Sequence, residues 1–383
     1  MKICEDLYSV SVDDHRIDLF EGQYRVPNGM AYNSYVLIDE KIAVWDTVDG
    51  HFTDQWLQNL SQVLAGRKPD YLILSHMEPD HSAGIAAFCQ KYPQAVLIGN
   101  SKTFPMLEAF FPEFSGKSRQ IVADRETLNL GRHTLTFLTA PMVHWPEVMV
   151  TFDSLTGTLF SADAFGKFGA SDVKEDWACE ARRYYFGIVG KYGAQVQALL
   201  KKLADFPIKT ICPLHGPVLS ESLPYYLGLY QTWSSYGVES DGVCIAYTSV
   251  YGHTADAANR LADALREAGC PKVVLNDLAR CDMAEAVEDA FRYGKLVLAT
   301  TTYNGDIFPM MKQFLDALTE RNFRNRTVGF IENGSWAPMA ARNMKAKLEK
   351  CPNLTYPDST VTIRSALNDE SRAALNALAR ELA

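Results

Sequence analysis

The alternation of apolar and polar residues changes rhythm once along this chain. From Tyr8 to about Tyr236, short apolar runs are interspersed with occasional stretches of helical periodicity. "SYVLIDEKIAVWDT" (Ser34–Thr47) has two apolar runs broken at Asp39-Glu40, the pattern of a hairpin. "TDQWLQNLSQVLAG" repeats its apolar residues at three- and four-residue spacing and stops at Gly66, which predicts a helix with a glycine terminator. "YLILS" (Tyr71–Ser75) is a compact apolar run, as in a strand covered on both faces. "RHTLTFLTA", "EVMVTFD" and "TGTLFSA" add further β segments. Neighbouring strands with intermittent helices predict sheets packed together with helices outside.

The rhythm shifts at the polar, glycine-bearing stretch "SSYGVESDG" (Ser234–Gly242), which reads as a linker. Beyond it, strands and helices alternate regularly. "GVCIAYTS", "KVVLNDL", "KLVLATTTY", "TVGFIEN" and "LTYPDSTVTI" are strand-like. "TADAANRLADALREAG", "MAEAVEDAFRYG", "FPMMKQFLDALTER", "MAARNMKAKLEK" and "NDESRAALNALARELA" are helix-like. Five βα units predict a doubly wound parallel five-stranded sheet. The expected division is therefore 1–238 and 242–383.

Composition narrows the class. With 383 residues, 47% of them hydrophobic, the chain can bury two cores. Its net charge of -9 argues against nucleic acid or an anionic membrane as partner. No apolar run reaches the ~20 residues of a membrane span, and the acidic opening "MKICEDLYSVSVDDH" does not look like a signal peptide. The expected location is the cytoplasm. None of the eight cysteines lies in a C-x-x-C pair, so zinc ribbons and rubredoxin-type centres are not expected, and free thiols are.

In doubly wound sheets, ligands sit beyond the carboxyl ends of the strands. Three loops fall there: "TSVYGHT", "TTTYNGDIF" and "ENGSWAP". The first joins hydroxyls to a glycine at a helix start, which suits a phosphate. It is neither G-x-G-x-x-G nor a P-loop, so a dinucleotide or ATP is not expected. The others pair an aromatic (Tyr303, Trp336) with Asn-Gly, which suits a planar ring but is also common turn chemistry. This half resembles flavodoxin, whose flavin mononucleotide (FMN) phosphate lies in a T/S-x-x-x-G-x-T loop. The resemblance implies contacts from Thr248, Ser249, Val250, Tyr251, Gly252, His253 and Thr254. It further implies Thr302, Tyr303, Asn304 and Gly305, then Asn333, Gly334, Ser335 and Trp336. Many relatives have a proline before the tyrosine of "TTTYNG"; here it is threonine.

The first half concentrates different chemistry. His76, Glu78, Asp80 and His81 follow an apolar strand as H-x-E-x-D-H. A capped turn needs only one such side chain. His144, Asp163 and His215 also follow apolar runs. His15, His51 and His133 lie in charged or turn-like contexts and read as surface residues. Four histidines and three carboxylates are too many ligands for one ion and suit two, with one carboxylate bridging. Without nearby cysteine the site is of nitrogen–oxygen type. A dizinc hydrolase, a redox pair of iron ions and a non-catalytic metal module all remain open on this basis.

The pattern resembles the metallo-β-lactamase H-x-H-x-D-H motif, with Glu78 replacing a histidine and favouring iron or manganese over zinc. Together the halves resemble the flavodiiron proteins, on the ligand set, "HWP", "DAFGKFG", "PLHGP" and the three loops. That resemblance implies an N-terminal αββα metallo-β-lactamase-like sandwich and two non-haem irons. His76, Glu78 and His144 would hold one iron, and Asp80, His81 and His215 the other, with Asp163 bridging and no catalytic residue beyond these ligands. It implies an oxidoreductase acting on O2 or NO with electrons passed through FMN. A separate donor such as rubredoxin or reduced deazaflavin is expected, as is a head-to-tail homodimer, with pairing to a tetramer left open. Glu147 is a candidate to orient a histidine, and Trp145 to face the flavin.

Overall fold

The computed structural model describes residues 1–114 and 116–383. They form two compact units: Met1–Tyr185 with Ala194–Gln231, and Phe186–Gly193 with Thr232–Ala383. A short segment from within the first half of the sequence, Phe186–Gly193, thus belongs to the second unit.

The first unit is built on two sheets. One runs in the order Leu7–Ser9, Tyr35–Ile38, Ile42–Trp45, Tyr71–Ile73, Val96–Gly99, Arg119–Ile121. Its Tyr35–Ile38/Ile42–Trp45 pair is the antiparallel hairpin around Asp39-Glu40, and the strands from Ile42 onward are parallel. The other runs Thr127–Asn129, Thr134–Thr139, Met149–Asp153, Thr158–Phe160, Thr210–Cys212. The two share a core in which Leu37, Trp45, Ile73 and Ile98 meet Leu135, Phe137, Met149 and Phe160. Trp45 stacks on Phe160 with ring centroids 3.8 Å apart. Leu135 and Phe137 are two residues apart, the spacing that puts both on one face of a strand. The helix Thr53–Leu64 turns Trp56, Leu60 and Leu64 inward, at the spacing of its predicted apolar stripe.

His133 is buried rather than on the surface. Its Nδ1 lies 2.9 Å from Asp153 Oδ2 and its Nε2 3.3 Å from Asp6 Oδ2. Its charged sequence neighbourhood suggested solvent, but carboxylates from two other segments are what make its burial tolerable. His15 and His51 are exposed.

In the second unit, five strands run parallel in the order Val273–Asp277, Ser240–Tyr247, Tyr293–Tyr303, Thr327–Asn333, Val361–Ile363. The first strand in sequence is second in space, so the order reverses beside Ser240–Tyr247, the place where such folds bind ligands. Helices His253–Glu267 and Asp369–Leu382 pack against the sheet through Leu261, Leu265, Leu375 and Leu378. The last strand is shorter than its apolar run suggests. Pro357 cannot donate to a ladder, so only Val361–Ile363 pairs, and Thr355 makes an isolated bridge to Thr327.

The polar stretch at 234–242 is not slack. The Trp233 indole N–H donates to Glu239 at 2.6 Å, Arg326 donates to the carbonyls of Tyr236 and Gly237 at 2.9 Å, and strand structure begins at Ser240. The segment Phe186–Gly193 is equally well held. Phe186 stacks on Phe291 at 4.2 Å, Arg321 Nε donates to the Phe186 carbonyl at 2.7 Å, and Tyr236 donates to Gly190 at 2.9 Å.

Candidate metal centre and flavin loops

Each candidate metal ligand in the first unit stands just beyond a strand, where backbone leaves the sheet and side chains can converge. His76 follows Tyr71–Ile73, His144 lies between Thr134–Thr139 and Met149–Asp153, Asp163 follows Thr158–Phe160, and His215 follows Thr210–Cys212. The chain after Ile73 is held by Asp46, whose Oδ1 accepts the N–H groups of Ser75 at 2.7 Å and His76 at 3.2 Å. Thr47 grips the other end of the loop: its N–H and hydroxyl both donate to the His81 carbonyl at 2.8 Å.

The structure gathers the seven side chains into two groups, His76 with Glu78, His144 and Asp163, and Asp80 with His81 and His215. In the first, His76 Nε2 lies 3.2 Å from both His144 Nε2 and Glu78 Oε2, and His144 Nε2 lies 3.0 Å from Glu78 Oε2 and from Asp163 Oδ2. In the second, His81 Nε2 and His215 Nε2 are 3.1 Å apart, and each lies 3.4 Å from Asp80 Oδ2. Asp163 belongs to both: its Oδ2 faces the first group, while its Oδ1 lies 3.3 Å from His81 Nε2.

The backs of two imidazoles determine what their fronts can do. His215 Nδ1 sits 2.7 Å from the Ala31 carbonyl, which only accepts, so that nitrogen carries the proton. His76 Nδ1 sits 2.8 Å from Glu147 Oε1, which also accepts the Met77 N–H at 2.9 Å. Burial works against ionisation of Glu147, but its hydrogen bond to His76 outweighs burial and holds the acid below its usual range. With Nδ1–H held in this way, the Nε2 lone pairs point into the site.

Lone pairs aimed at one another 3.1–3.2 Å apart repel unless a cation lies between them. The separations match the edges of a coordination polyhedron with metal–nitrogen bonds of about 2.1 Å. Both Asp80 oxygens and Asp163 Oδ1 are buried without a hydrogen-bond donor among the described residues. Without metal, protons must compensate the carboxylates. Burial opposes this, but Asp163 and Glu78 still lift His144 to about 9. Burial likewise opposes the drop in Glu78, which His144 and His76 bring to about 2. Bound cations would replace those protons. The donor set is imidazole and carboxylate, which suits iron, manganese or zinc.

Asp80 does not cap the helix that follows: helix Ile85–Lys91 has no side-chain cap. Three positions near the centre had not been singled out in the sequence. Asp46 could have been, because it too is a polar residue at the end of an apolar strand. The Tyr184 hydroxyl is buried without a partner among the described residues, and its ring lies 5.5 Å from that of His215. Glu21 feels the charges of Glu78, His144 and Asp80. Nothing local in the sequence marks Tyr184 or Glu21.

In the second unit, the three loops expected to hold a flavin lie at the carboxyl ends of three adjacent strands. Gly252, at φ +92°, precedes helix His253–Glu267, and no side chain caps its first turn. Free N–H groups at a helix start suit a phosphate. Thr248 and Thr254 are buried there, and the Ser249 hydroxyl accepts the Gly252 N–H at 3.1 Å. Val250 and His253 are exposed. Asn304 and Gly305 form the turn between Thr302–Tyr303 and Asp306–Ile307, both at positive φ, as a type I′ turn requires.

Two of the expected flavin contacts also serve the loops themselves. Thr302 accepts the N–H groups of Met339 and Ala340 at 2.9 and 3.2 Å, and Asn333 donates to the Ser365 carbonyl at 3.0 Å. Beside them the Ser335 and Ser365 hydroxyls are 2.7 Å apart, next to Gly334. Trp336 is 88% exposed and Tyr251 90%, with Tyr303 half-exposed. Large aromatics open to solvent around an uncapped helix start are the surface a planar, phosphate-bearing ligand would cover.

Residues 30–216 match the ODP family of beta lactamases, and residues 244–369 match a flavodoxin domain. The chain is 28% identical over 371 residues to a nitric oxide reductase of Moorella thermoacetica, covering 94% of this chain and 92% of that one. Its fold superposes on rubredoxin oxygen:oxidoreductase from Desulfovibrio gigas with a TM-score of 0.92 at 24% identity, over 100% of this chain and 97% of that one. It superposes on the flavodiiron protein from Giardia intestinalis with a TM-score of 0.91 at 24% identity, over the same shares of the two chains.

A beta-lactamase-like unit with a two-group nitrogen–oxygen centre, followed by a flavodoxin unit, defines a class of two-cofactor redox proteins. The chain joins an ODP-family beta-lactamase domain to a flavodoxin domain, and its fold is that of the flavodiiron protein it superposes on. No helix among the described residues is long and apolar enough to cross a membrane.

Proposed function

We propose that this protein is an oxidoreductase that reduces O2 to water, NO to nitrous oxide, or both, at a non-haem di-iron centre supplied with electrons through FMN. The observation that carries the reading is the division of Asp163. Its two oxygens face two separate nitrogen–oxygen groups, as a bridging carboxylate must. In the reading, His76, Glu78 and His144 hold one iron, Asp80, His81 and His215 the other, and Asp163 joins them. The loops at 248–254, 302–305 and 333–336 hold FMN.

Two ferrous ions and a reduced flavin together supply the four electrons that O2 needs, and the ions alone the two needed by a pair of NO molecules. The chain's own residues do the rest. Glu147 and the Ala31 carbonyl fix the tautomers of His76 and His215. Glu78 adds a negative charge that favours the more oxidised metal. The buried aromatic wall of Phe20, Phe168 and Tyr184 around His215 keeps bulk water away from the second group.

The nitric oxide reductase and the rubredoxin oxygen:oxidoreductase among its relatives support both substrates and a separate donor. We further propose a cytoplasmic, head-to-tail homodimer, because electron transfer needs the flavin of one chain near the metals. Trp145, edge-on to His76 at 5.2 Å, then faces the partner flavin. The test is parallel O2 and NO titration of the anaerobically reduced protein, with iron and flavin quantified. Two irons, one FMN and consumption of either gas are expected. Zinc with hydrolytic activity and no gas consumption overturns the reading.

A further inference from the structure

The carboxylate proposed to join the two ions sits in an unfavourable stretch of backbone. Asp163 follows strand Thr158–Phe160, in the turn "SADAFG". Ala162 just before it is at φ +51°, and Phe165 two residues later is at φ +66°. Both carry a Cβ, which is crowded in left-handed backbone, so glycine or asparagine would be the ordinary choice. Such a turn persists only where its surroundings impose it. Relaxation at either residue would swing the peptide planes beside Asp163 and carry its carboxylate away.

The tolerance for such movement is small. Asp163 Oδ2 lies 3.0 Å from His144 Nε2, and Oδ1 lies 3.3 Å from His81 Nε2. A metal site accepts ligand distances within about 0.2 Å.

The two left-handed residues are held by different parts of the molecule. At the start of the turn, the Ser161 hydroxyl donates to the Ala164 carbonyl at 2.7 Å, and the Leu214 N–H, next to His215, donates to the Ala162 carbonyl at 2.9 Å. At its exit, Gly166 N–H donates to the Asp163 carbonyl at 3.0 Å. Gly166 is packed so tightly there that a Cβ on it would stand 2.9 Å from the Asp163 carbonyl oxygen and 3.4 Å from His215 Cβ.

Phe165 is held from helix Leu223–Ser234. Its N–H donates to the Tyr230 hydroxyl at 2.5 Å, and its ring stacks on that of Tyr230 with centroids 4.2 Å apart. Tyr230 is fully buried, and Tyr185 meets its ring edge-on at 5.3 Å. Because the peptide unit is planar, fixing the Phe165 N–H also fixes the Ala164 carbonyl, the group that Ser161 grips from the other side.

We propose that Tyr230 is a positioning residue for the metal bridge: its hydroxyl holds the Phe165 peptide and so fixes the turn from which Asp163 presents one oxygen to each metal group. The inference rests on the two-metal reading above. A bridging carboxylate keeps two ions about 3.5–4 Å apart, close enough to act on one substrate together. A turn already formed before metal arrives spares the binding step the cost of ordering it. Tyr230 acts only through the turn and takes no part in the chemistry itself.

The experiment compares the full-length wild-type protein with Tyr230→Phe and Phe165→Leu after reconstitution with iron. Affinity is read by chelator competition, magnetic coupling between the ions by Mössbauer and electron paramagnetic resonance spectroscopy, and folding by circular dichroism and melting of the metal-free protein. Tyr230→Phe keeps the ring and removes the acceptor. It is expected to lose about tenfold or more in iron affinity, at both groups, with weakened magnetic coupling and an unchanged circular dichroism spectrum. Phe165→Leu keeps the N–H and its acceptor but loses the stacked ring, so it should melt earlier and retain affinity and coupling. Wild-type affinity and coupling in Tyr230→Phe, with or without earlier melting, overturn the positioning role and leave the two-metal reading intact. An equal loss of coupling in Phe165→Leu also overturns it, because packing rather than the hydroxyl would then hold the turn. A wild-type protein that takes up fewer than two ions overturns both.

Discussion

Glu147 and His76 form a fully buried pair, carboxylate oxygen to Nδ1, at 2.8 Å. Of the seven candidate ligands Glu147 touches His76, and it determines which imidazole nitrogen faces the candidate metal site. Glu147→Ala removes that constraint and strands the Met77 N–H as well. Partners of this kind are worth about 10–100-fold in metal affinity. The expected result is a loss of that order at the first group, read by chelator competition, in a protein whose circular dichroism is unchanged.

Asp163→Asn should affect both groups at once, because one residue supplies an oxygen to each. An amide offers one oxygen and a non-ligating nitrogen. Metal content should fall below two ions per chain, and magnetic coupling between the ions should be lost. Two fully occupied, coupled ions in Asp163→Asn would remove the bridging role.

Glu78→His should move the metal content toward zinc when iron and zinc are offered together, since imidazole replaces a hard carboxylate. Glu78 has partners at 3.0 and 3.2 Å in His144 and His76, and those contacts place the new ring on the same ion. Unchanged iron loading and activity would show that this position does not select the metal.

Removal of metal should make stability pH-dependent in a defined direction. Although burial opposes it, Asp163 and Glu78 raise His144 to about 9 in the folded metal-free protein, above the 6.5 of the free side chain. A raised histidine stabilises fully below its unfolded value, and that contribution is lost as pH rises through the folded value. The urea midpoint of the metal-free protein should therefore fall between pH 6.5 and about 9. With metal bound, Nε2 carries no proton and this slope should disappear. A metal-free protein with a flat profile over that interval would contradict the arrangement.

The segment Phe186–Gly193 makes a separate prediction about the second unit. Phe186 is buried and stacked on Phe291, and Arg321 holds its carbonyl. Phe186→Ala should cost about 3–5 kcal/mol of stability in that unit, seen as an earlier thermal transition. A fragment beginning at residue 242 lacks both this segment and the Tyr236–Gly237 carbonyls that Arg326 binds. It should melt lower than the same unit in the full chain.

Much of this protein is legible in the chain because its chemistry is locally encoded. Strands at Tyr35–Ile38 and Ile42–Trp45 follow from alternation about a turn, and helix Thr53–Leu64 from its apolar spacing. The polar residues after apolar runs mark where the backbone leaves a sheet, which is why His76, His144, Asp163 and His215 stand out together in the sequence. Residue identity also limited the metal to one served by nitrogen and oxygen donors.

What the chain could not show depends on residues far apart in sequence. His133 looked exposed because its neighbours are charged; Asp6 and Asp153, from other segments, made it a buried residue. The polar stretch around Gly237 has the composition of a linker, but Arg326, 89 residues further on, holds its carbonyls. Only folding decides that the Asp163 oxygens part between two groups and that Phe186 joins the second unit. A local pattern specifies which side chains are present and which way their strand ends. Their separations of about three ångströms, and the burial that gives them chemical force, arise only when strand ends of two different sheets pack together.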